Sequence, residues 1–279
     1  MSDSADKRIF TPDFGFIALC FAIGLVGFGY ILTSLPSIAD TCPNAAEITG
    51  IWKYGLVSTH ILTFALIPVA MRIFYEGLKN LQVPSKSIFA SQLGLGFVMV
   101  AIAGEIGWHV TQGWYYANDF TMLNFMFYFF LISAFALWAG GLVEQETVLT
   151  RISNAVFALG LLAVSILYPM GAKVGNDSCK IPIYILMTLV FAVLTYRGYK
   201  LLKDWKIVFV PLLSVGVNLT FIMLLDKYGG DPCSDPQVVY NAFFHILHDL
   251  AGTLAGVAVF TWLVYDKGIA NFKPESEAN

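Results

Sequence analysis

Eight apolar stretches leave this chain few folds to choose from, because each is about 20 residues long, enough for a helix rising about 1.5 Å per residue to cross about 30 Å of hydrocarbon. They run at roughly 15–36, 50–74, 88–112, 119–142, 152–171, 181–200, 206–226 and 238–265. Breakers and charges fall between them: Pro36, Pro43, Pro84, Gly175-Asn176-Asp177 and Gly229-Gly230-Asp231-Pro232. Lipid offers the backbone no hydrogen bonds, so stretches of this kind must satisfy their own amides and carbonyls as helices. With 57% of the 279 residues hydrophobic and only 13% charged, no segment remains for a soluble domain. The expected architecture is all-α, a single membrane domain over 1–279 forming a polytopic bundle of about eight transmembrane helices. The first stretch is too long for the apolar part of a signal peptide and is followed by no small-residue cleavage site, so it reads as a true helix.

Orientation follows from the basic residues, which favour cytoplasmic loops. With the N-terminus inside, only Lys53, Lys173, Lys180 and Lys227 of the 16 lysines and arginines face outward, and both termini are expected in the cytoplasm. The cysteines were not used in that assignment, and they agree with it. Cys20 lies in the first helix, whereas Cys42, Cys179 and Cys233 all fall in outward loops, where thiols tend to be oxidised. A disulfide between two of the three is expected, with three pairings open. No nucleotide or phosphate-binding loop and no internal repeat is present. Nothing points to a nucleic-acid partner.

An ionisable side chain costs at least about 2.5 kcal/mol at the centre of a membrane helix, so each one inside a span calls for a function. Here they gather. The third stretch ends Gly104-Glu105-Ile106-Gly107-Trp108-His109, which places Glu105 and His109 four apart on one helix face near the outer surface. Asp119 opens the next helix. The last begins with Asn241, His245, His248 and Asp249 at spacings of three and four, a single polar stripe. Three histidines and three carboxylates at one depth exceed what a packing hydrogen bond needs and suggest a metal site, since zinc takes neutral imidazole and carboxylate in catalytic centres. His60, in the stretch 50–74, has no evident partner at its depth and either lines the cavity or hydrogen-bonds to a neighbouring helix, the second being preferred.

At these residues the sequence resembles the alkaline ceramidases and, more loosely, the superfamily that also contains adiponectin-receptor-like proteins. The matching stretches are Ala90-Ser91-Gln92-Leu93 leading into Gly104 to Thr111, then Asp119, then Asn241-Ala242-Phe243-Phe244-His245-Ile246-Leu247. The resemblance implies a seven-helix core over 50–265, making 15–36 an N-terminal addition, and a zinc site with His109 and His245 as ligands. Where the family pattern has Ser this chain has Glu105, and where it has the first His of His-x-x-x-His this chain has Asn241, a poor zinc ligand. The third ligand is then Glu105 or His248, with Glu105 preferred because it replaces a residue that faces the site. Asp119 would act on the zinc-held water as general base. The acidic calcium box of the ceramidases is poorly matched by Asp40-Thr41-Cys42-Pro43-Asn44, which argues against calcium. Cys42 and Cys233 flank the first and last core helices, and theirs is the disulfide the resemblance favours.

The function expected on this basis is a zinc-dependent intramembrane hydrolase cleaving the amide of a ceramide-like membrane lipid, with its site toward the non-cytoplasmic face. The alternatives are a non-catalytic lipid-binding receptor on the same bundle, which Asn241 favours, and a haem-binding membrane protein with two axial histidines.

Overall fold

A computed structural model describes residues 26, 50–111, 122–141, 148–173, 178, 181–228, 238–250 and 255–270. Among them the chain forms eight helices and no strand: α1 (Gly50–Asn80), α2 (Ser85–Thr111), α3 (Met122–Gly141), α4 (Val148–Lys173), α5 (Ile181–Leu202), α6 (Lys206–Tyr228), α7 (Val238–His248) and α8 (Ala255–Ala270). Every described residue of the core stretches is thus helical, and the last stretch, 238–265, carries α7 and the first part of α8. The protein is a polytopic membrane helix bundle. Tyr54–Asn80, Ser85–Gly107, Arg151–Tyr168 and Ile181–Leu202 are each long and apolar enough to span a bilayer, and Phe125–Trp138 is a shorter apolar helix. Apart from Val26, the expected N-terminal helix at 15–36 lies outside the described residues, as do all four cysteines, including the Cys42 and Cys233 pairing.

The helices meet lipid the way the bilayer demands. Exposed hydroxyl side chains on them donate to the carbonyl one turn back, as Thr188 does to Tyr184 (2.8 Å) and Thr220 to Gly216 (2.8 Å), so these hydroxyls are satisfied within their own helices. Large apolar side chains such as Ile152, Leu189, Phe209 and Leu213 are exposed on the outer faces of α4, α5 and α6, where a soluble protein would carry charge.

Small residues let the backbones approach. A Cβ on Gly94 would lie 2.7 Å from the Trp138 ring and 3.0 Å from the Ala134 carbonyl, so α2 and α3 come together there, and the Trp138 indole donates to the Ser91 carbonyl at 2.9 Å. Phe74, Trp138 and Phe260 form a mutual aromatic contact, with centroids 5.8–6.0 Å apart, that joins α1, α3 and α8.

Two corners are closed by local chemistry. At the end of α1 the Val83 amide donates to the Leu78 carbonyl (3.1 Å) and the Gln82 amide to that of Lys79 (3.0 Å), a Schellman cap, with Gln82 in the left-handed region at φ 55° and Pro84 following. A side chain pays a steric penalty at such a φ that glycine does not. Gln82→Gly should therefore stabilise the protein by about 0.5–1 kcal/mol, read as a higher midpoint of thermal unfolding in detergent.

At the α5–α6 corner Lys203 is likewise left-handed (φ 51°), and Asp204 accepts a hydrogen bond from the Lys206 amide at 3.0 Å while its other oxygen lies 3.2 Å from the Lys267 ammonium. The amide first and the lysine second hold the Asp204 carboxyl below the usual carboxylate range. The lowered folded value means that its contribution is complete at neutral pH and is lost as the pH falls through that value. On acidification below about pH 4, thermal stability should fall further in wild type than in Asp204→Asn, which keeps a capping side chain but cannot titrate.

Candidate metal centre

The core-facing stripe of α1 is Leu56, His60, Thr63, Ile67, Phe74 and Leu78, all less than 8% exposed, at the spacings of three, four and seven that keep one helix face inward. His60 occupies one of those positions as a leucine would. On α2 the equivalent stripe is Val98, Ala101, Ile102 and Glu105, again continuous, with Glu105 8% exposed. These two polar residues are held in the core because their helices bury the faces that carry them. The third contributor is α7, which packs on α1 through Trp52 and Phe243 (centroids 5.9 Å apart) and through Gly55, where Ile246 approaches so closely that an added Cβ would be 3.2 Å from it.

That packing brings His60, Glu105, His245 and Asp249 together, with one ligand atom from each inside a set whose members are all within 4.8 Å of one another. His60 Nε2 is 3.2 Å from Glu105 Oε2 and 3.1 Å from Asp249 Oδ2. His245 Nε2 is 3.4 Å from Glu105 Oε1 and 3.5 Å from Asp249 Oδ2. Both imidazoles thus point their Nε2 atoms at the same two carboxylates, and the rings stand edge to face with centroids 5.5 Å apart. Asp249 sits four residues after His245, on the same side of the helix, where α7 widens into a π turn at Asp249–Leu250. Such turns re-aim side chains and recur at functional sites.

The surroundings orient the ligands. His60 Nδ1 is 2.8 Å from the Leu56 carbonyl, an acceptor only, so this nitrogen carries the proton and donates it, leaving Nε2 directed at the cluster. The Asp249 carboxylate is held by its other oxygen, Oδ1, 3.1 Å from His248 Nδ1. Asp249 Oδ2 is buried and makes no hydrogen bond among the described residues, although it faces His60. A buried carboxylate oxygen in that condition is costly unless a cation sits beside it.

The separations supply the test of fit. A tetrahedral ion bound at 2.0–2.1 Å to nitrogen and oxygen places its ligand atoms about 3.3–3.4 Å apart, the edge of the tetrahedron. The four N···O separations span 3.1–3.5 Å, with Asp249 Oδ2 shared by both imidazoles and Glu105 presenting Oε2 to His60 and Oε1 to His245, so the spacing is that of neighbouring ligands on one ion rather than a full set of tetrahedral edges. Two neutral imidazoles and two carboxylates also balance a divalent charge, which matters in a medium that cannot solvate a surplus.

A family model described as "Seven transmembrane receptor" (7TM_cyano) matches residues 52–270. The chain belongs to that family. Neither the curated proteins nor the solved structures searched contain a match to it. In this seven-transmembrane receptor-family chain the matched region begins just ahead of His60 and contains the whole cluster, whereas the stretch 15–36 lies ahead of it.

The structure sorts the residues singled out in the sequence. Glu105 and His245 come together, and His248 lies beside Asp249 rather than among the four converging atoms. His60, read as a packing histidine with no partner at its depth, has Glu105, His245 and Asp249 at that depth. His109 and Asn241 belong to α2 and α7, but their side chains lie outside the described residues, as does Asp119 entirely.

The signal for His60 was available as arithmetic. Counted at about 1.5 Å per residue from the ends of their helices that share one membrane face, His60 lies about 15 Å in, Glu105 about 9 Å and His245 about 10 Å. What that arithmetic cannot supply is which helices are neighbours.

Proposed function

We propose that this protein is a membrane receptor whose helix arrangement is set by a divalent transition metal, zinc by its ligand preference, held between α1, α2 and α7 by His60, Glu105, His245 and Asp249. The observation that carries the reading is the convergence of two imidazoles and two carboxylates, one ligand atom from each within 4.8 Å of the others and with N···O separations of 3.1–3.5 Å, the spacing of neighbouring ligands on one ion. Four protein ligands complete a tetrahedral shell, which is the pattern of ions that hold structure, whereas catalytic zinc keeps one position open. The three helices that meet at the site would be cross-linked by occupancy, so metal binding would bias the packing of the bundle, as a ligand that prefers one of two arrangements must. Family membership supports the receptor class. The charge distribution of the loops would put the site toward the non-cytoplasmic face.

A second reading, a zinc-dependent intramembrane hydrolase acting on a ceramide-like lipid amide, is favoured by the chemistry of the donors. They are all imidazole and carboxylate, with no thiolate, as in catalytic zinc sites. In that reading the ion would supply Lewis acidity toward the amide carbonyl. Glu105 or Asp249 would take the proton of the attacking water, and Asp119 is a further base by resemblance. A haem is less well accommodated, because axial histidines lie on opposite faces of the macrocycle whereas these two converge on shared carboxylates.

Metal analysis by mass spectrometry on detergent-purified protein prepared without chelator tests the centre. About one zinc per chain is expected, and the absence of any transition metal would sink both readings. Incubation of the zinc-loaded protein with lipid amides then separates them: no release of fatty acid is the receptor outcome, and metal-dependent release is the hydrolase outcome.

A further inference from the structure

The ligands of the proposed centre are too deeply held for an ion to reach them in one step. The His60 side chain is 3% exposed, and that of His245, the most accessible of the four, is 14% exposed. A hydrated ion must give up its water piece by piece on the way in, and each departing water needs a protein atom to replace it where the medium solvates charge poorly. A buried metal site therefore needs an entry path with a ligand of its own.

His248 has the chemistry and the position for that step. Its side chain is 25% exposed, more than any of the four. Its Nδ1 lies 3.1 Å from Asp249 Oδ1, and an ionised carboxylate only accepts, so Nδ1 carries the proton and Nε2 keeps a bare lone pair. A neutral imidazole in that tautomer is a zinc ligand through Nε2. The His248 ring stands 6.1 Å from that of His245, centroid to centroid. Two imidazoles on one zinc, each bonded at about 2.0–2.1 Å, have centroids roughly 5–6.5 Å apart, so these two rings are close enough to share an ion in passing. Asp249 spans the remaining gap, with Oδ1 on His248 and Oδ2 facing His60 at 3.1 Å and His245 at 3.5 Å.

The exposure of His248 is not exposure to lipid. Phe243 marks the outer side of α7 at 38% exposed, and Ile246 marks the side that packs on Gly55 of α1. At about 100° per residue, His248 is turned about 140° from the first and about 160° from the second. It therefore faces the bundle interior, where ionisable groups inside a span are found.

We propose that His248 is the entry ligand of the centre: its Nε2 takes an incoming divalent ion, and His245 and Asp249 draw the ion inward from it. The proposal rests on the metal-centred reading of the cluster, and it assigns His248 a part in the rates of loading and release rather than in the final shell.

Stopped-flow loading of the metal-free, full-length protein in detergent tests it, with free zinc followed by a fluorescent indicator and release followed after addition of excess chelator. His248→Asn keeps a nitrogen donor where Nδ1 stands, so Asp249 stays oriented, and removes Nε2. His248→Ala removes both. Thermal unfolding of each variant, compared with wild type, shows that the bundle is intact. A group on the path lowers the barrier in both directions and leaves the end states alone. The expected result is that His248→Asn slows loading and release by the same several-fold factor at nearly unchanged affinity, and that His248→Ala slows loading as much while binding zinc more weakly. Loading at the wild-type rate in both variants, or release that quickens in His248→Asn with loading unchanged, would show that His248 only positions Asp249 and would overturn the proposal. A wild-type protein that takes up no zinc fails at an earlier step and overturns the metal-centred reading itself.

Discussion

His60→Ala should strip the protein of its metal, and His245→Ala should do the same, while His109→Ala leaves the metal in place. In the first two variants one imidazole ligand is gone, and the two carboxylates that face it at 3.1–3.5 Å are left to repel each other in a buried site. The loss in affinity should exceed the roughly 10–100-fold typical of removing a partner one step removed from the metal. His248→Ala belongs to that milder class, since His248 touches the cluster only through Asp249 Oδ1.

The same variants carry a stability signature. Metal that binds only the folded state adds about 4 kcal/mol when free metal stands a thousandfold above its dissociation constant. Chelation should therefore lower the unfolding midpoint of wild type and of His109→Ala, and leave that of His60→Ala unmoved. Metal retained in His60→Ala and lost in His109→Ala would show instead that the ceramidase-like ligand set is the right one.

The second large effect lies at the other end of α1. Gly268→Leu and Gly77→Leu should each prevent α1 and α8 from closing, because the atoms a new side chain meets first are backbone, the Gly77 carbonyl and Cα on one side and the Tyr265 amide and Cα on the other, all within 2.9 Å of an added Cβ. A clash with backbone cannot be relieved by a rotamer change. The expected cost is about 3 kcal/mol, at the upper end for overpacking, or a fall of roughly 6–12 °C in the unfolding midpoint. Gly160→Ala provides the contrast. Its close neighbour at 2.6 Å is the end of the Leu186 side chain, which can turn away, so the midpoint should move by only a degree or two. Equal losses at Gly160 and Gly268 would mean that the α1–α8 crossing is not the tight point described.

The two experiments also bear on one another. The proposed metal would join α1 and α2 to α7, and the glycine crossing joins α1 to α8. If occupancy sets the helix arrangement, Gly77→Leu should weaken metal binding although no ligand is touched, whereas Gln82→Gly, at the α1 terminus, should not.

What could be read without coordinates followed from the solvent. Hydrocarbon thickness and the need to pair every backbone amide determine helix number, length and approximate ends, so the seven core stretches emerged as helices within a few residues. The rarity of charge in hydrocarbon made Glu105 and His245 stand out on their own, and helical spacing put Asp249 on the stripe with His245. His60 was visible as a histidine inside a span, yet its role depended on which helices are neighbours, and nothing local encodes that. Adjacency comes from how apolar stripes and glycines fit across the bundle: Gly55 admitting Ile246, Gly94 admitting Trp138. The sequence by itself determined that this is a membrane bundle with ionisable groups at one depth. Only the packing of α1 and α2 against α7 decided which four of them share a point in space, because that choice is made by side-chain shape over distances of up to 189 residues, between His60 and Asp249, rather than by any spacing along one helix.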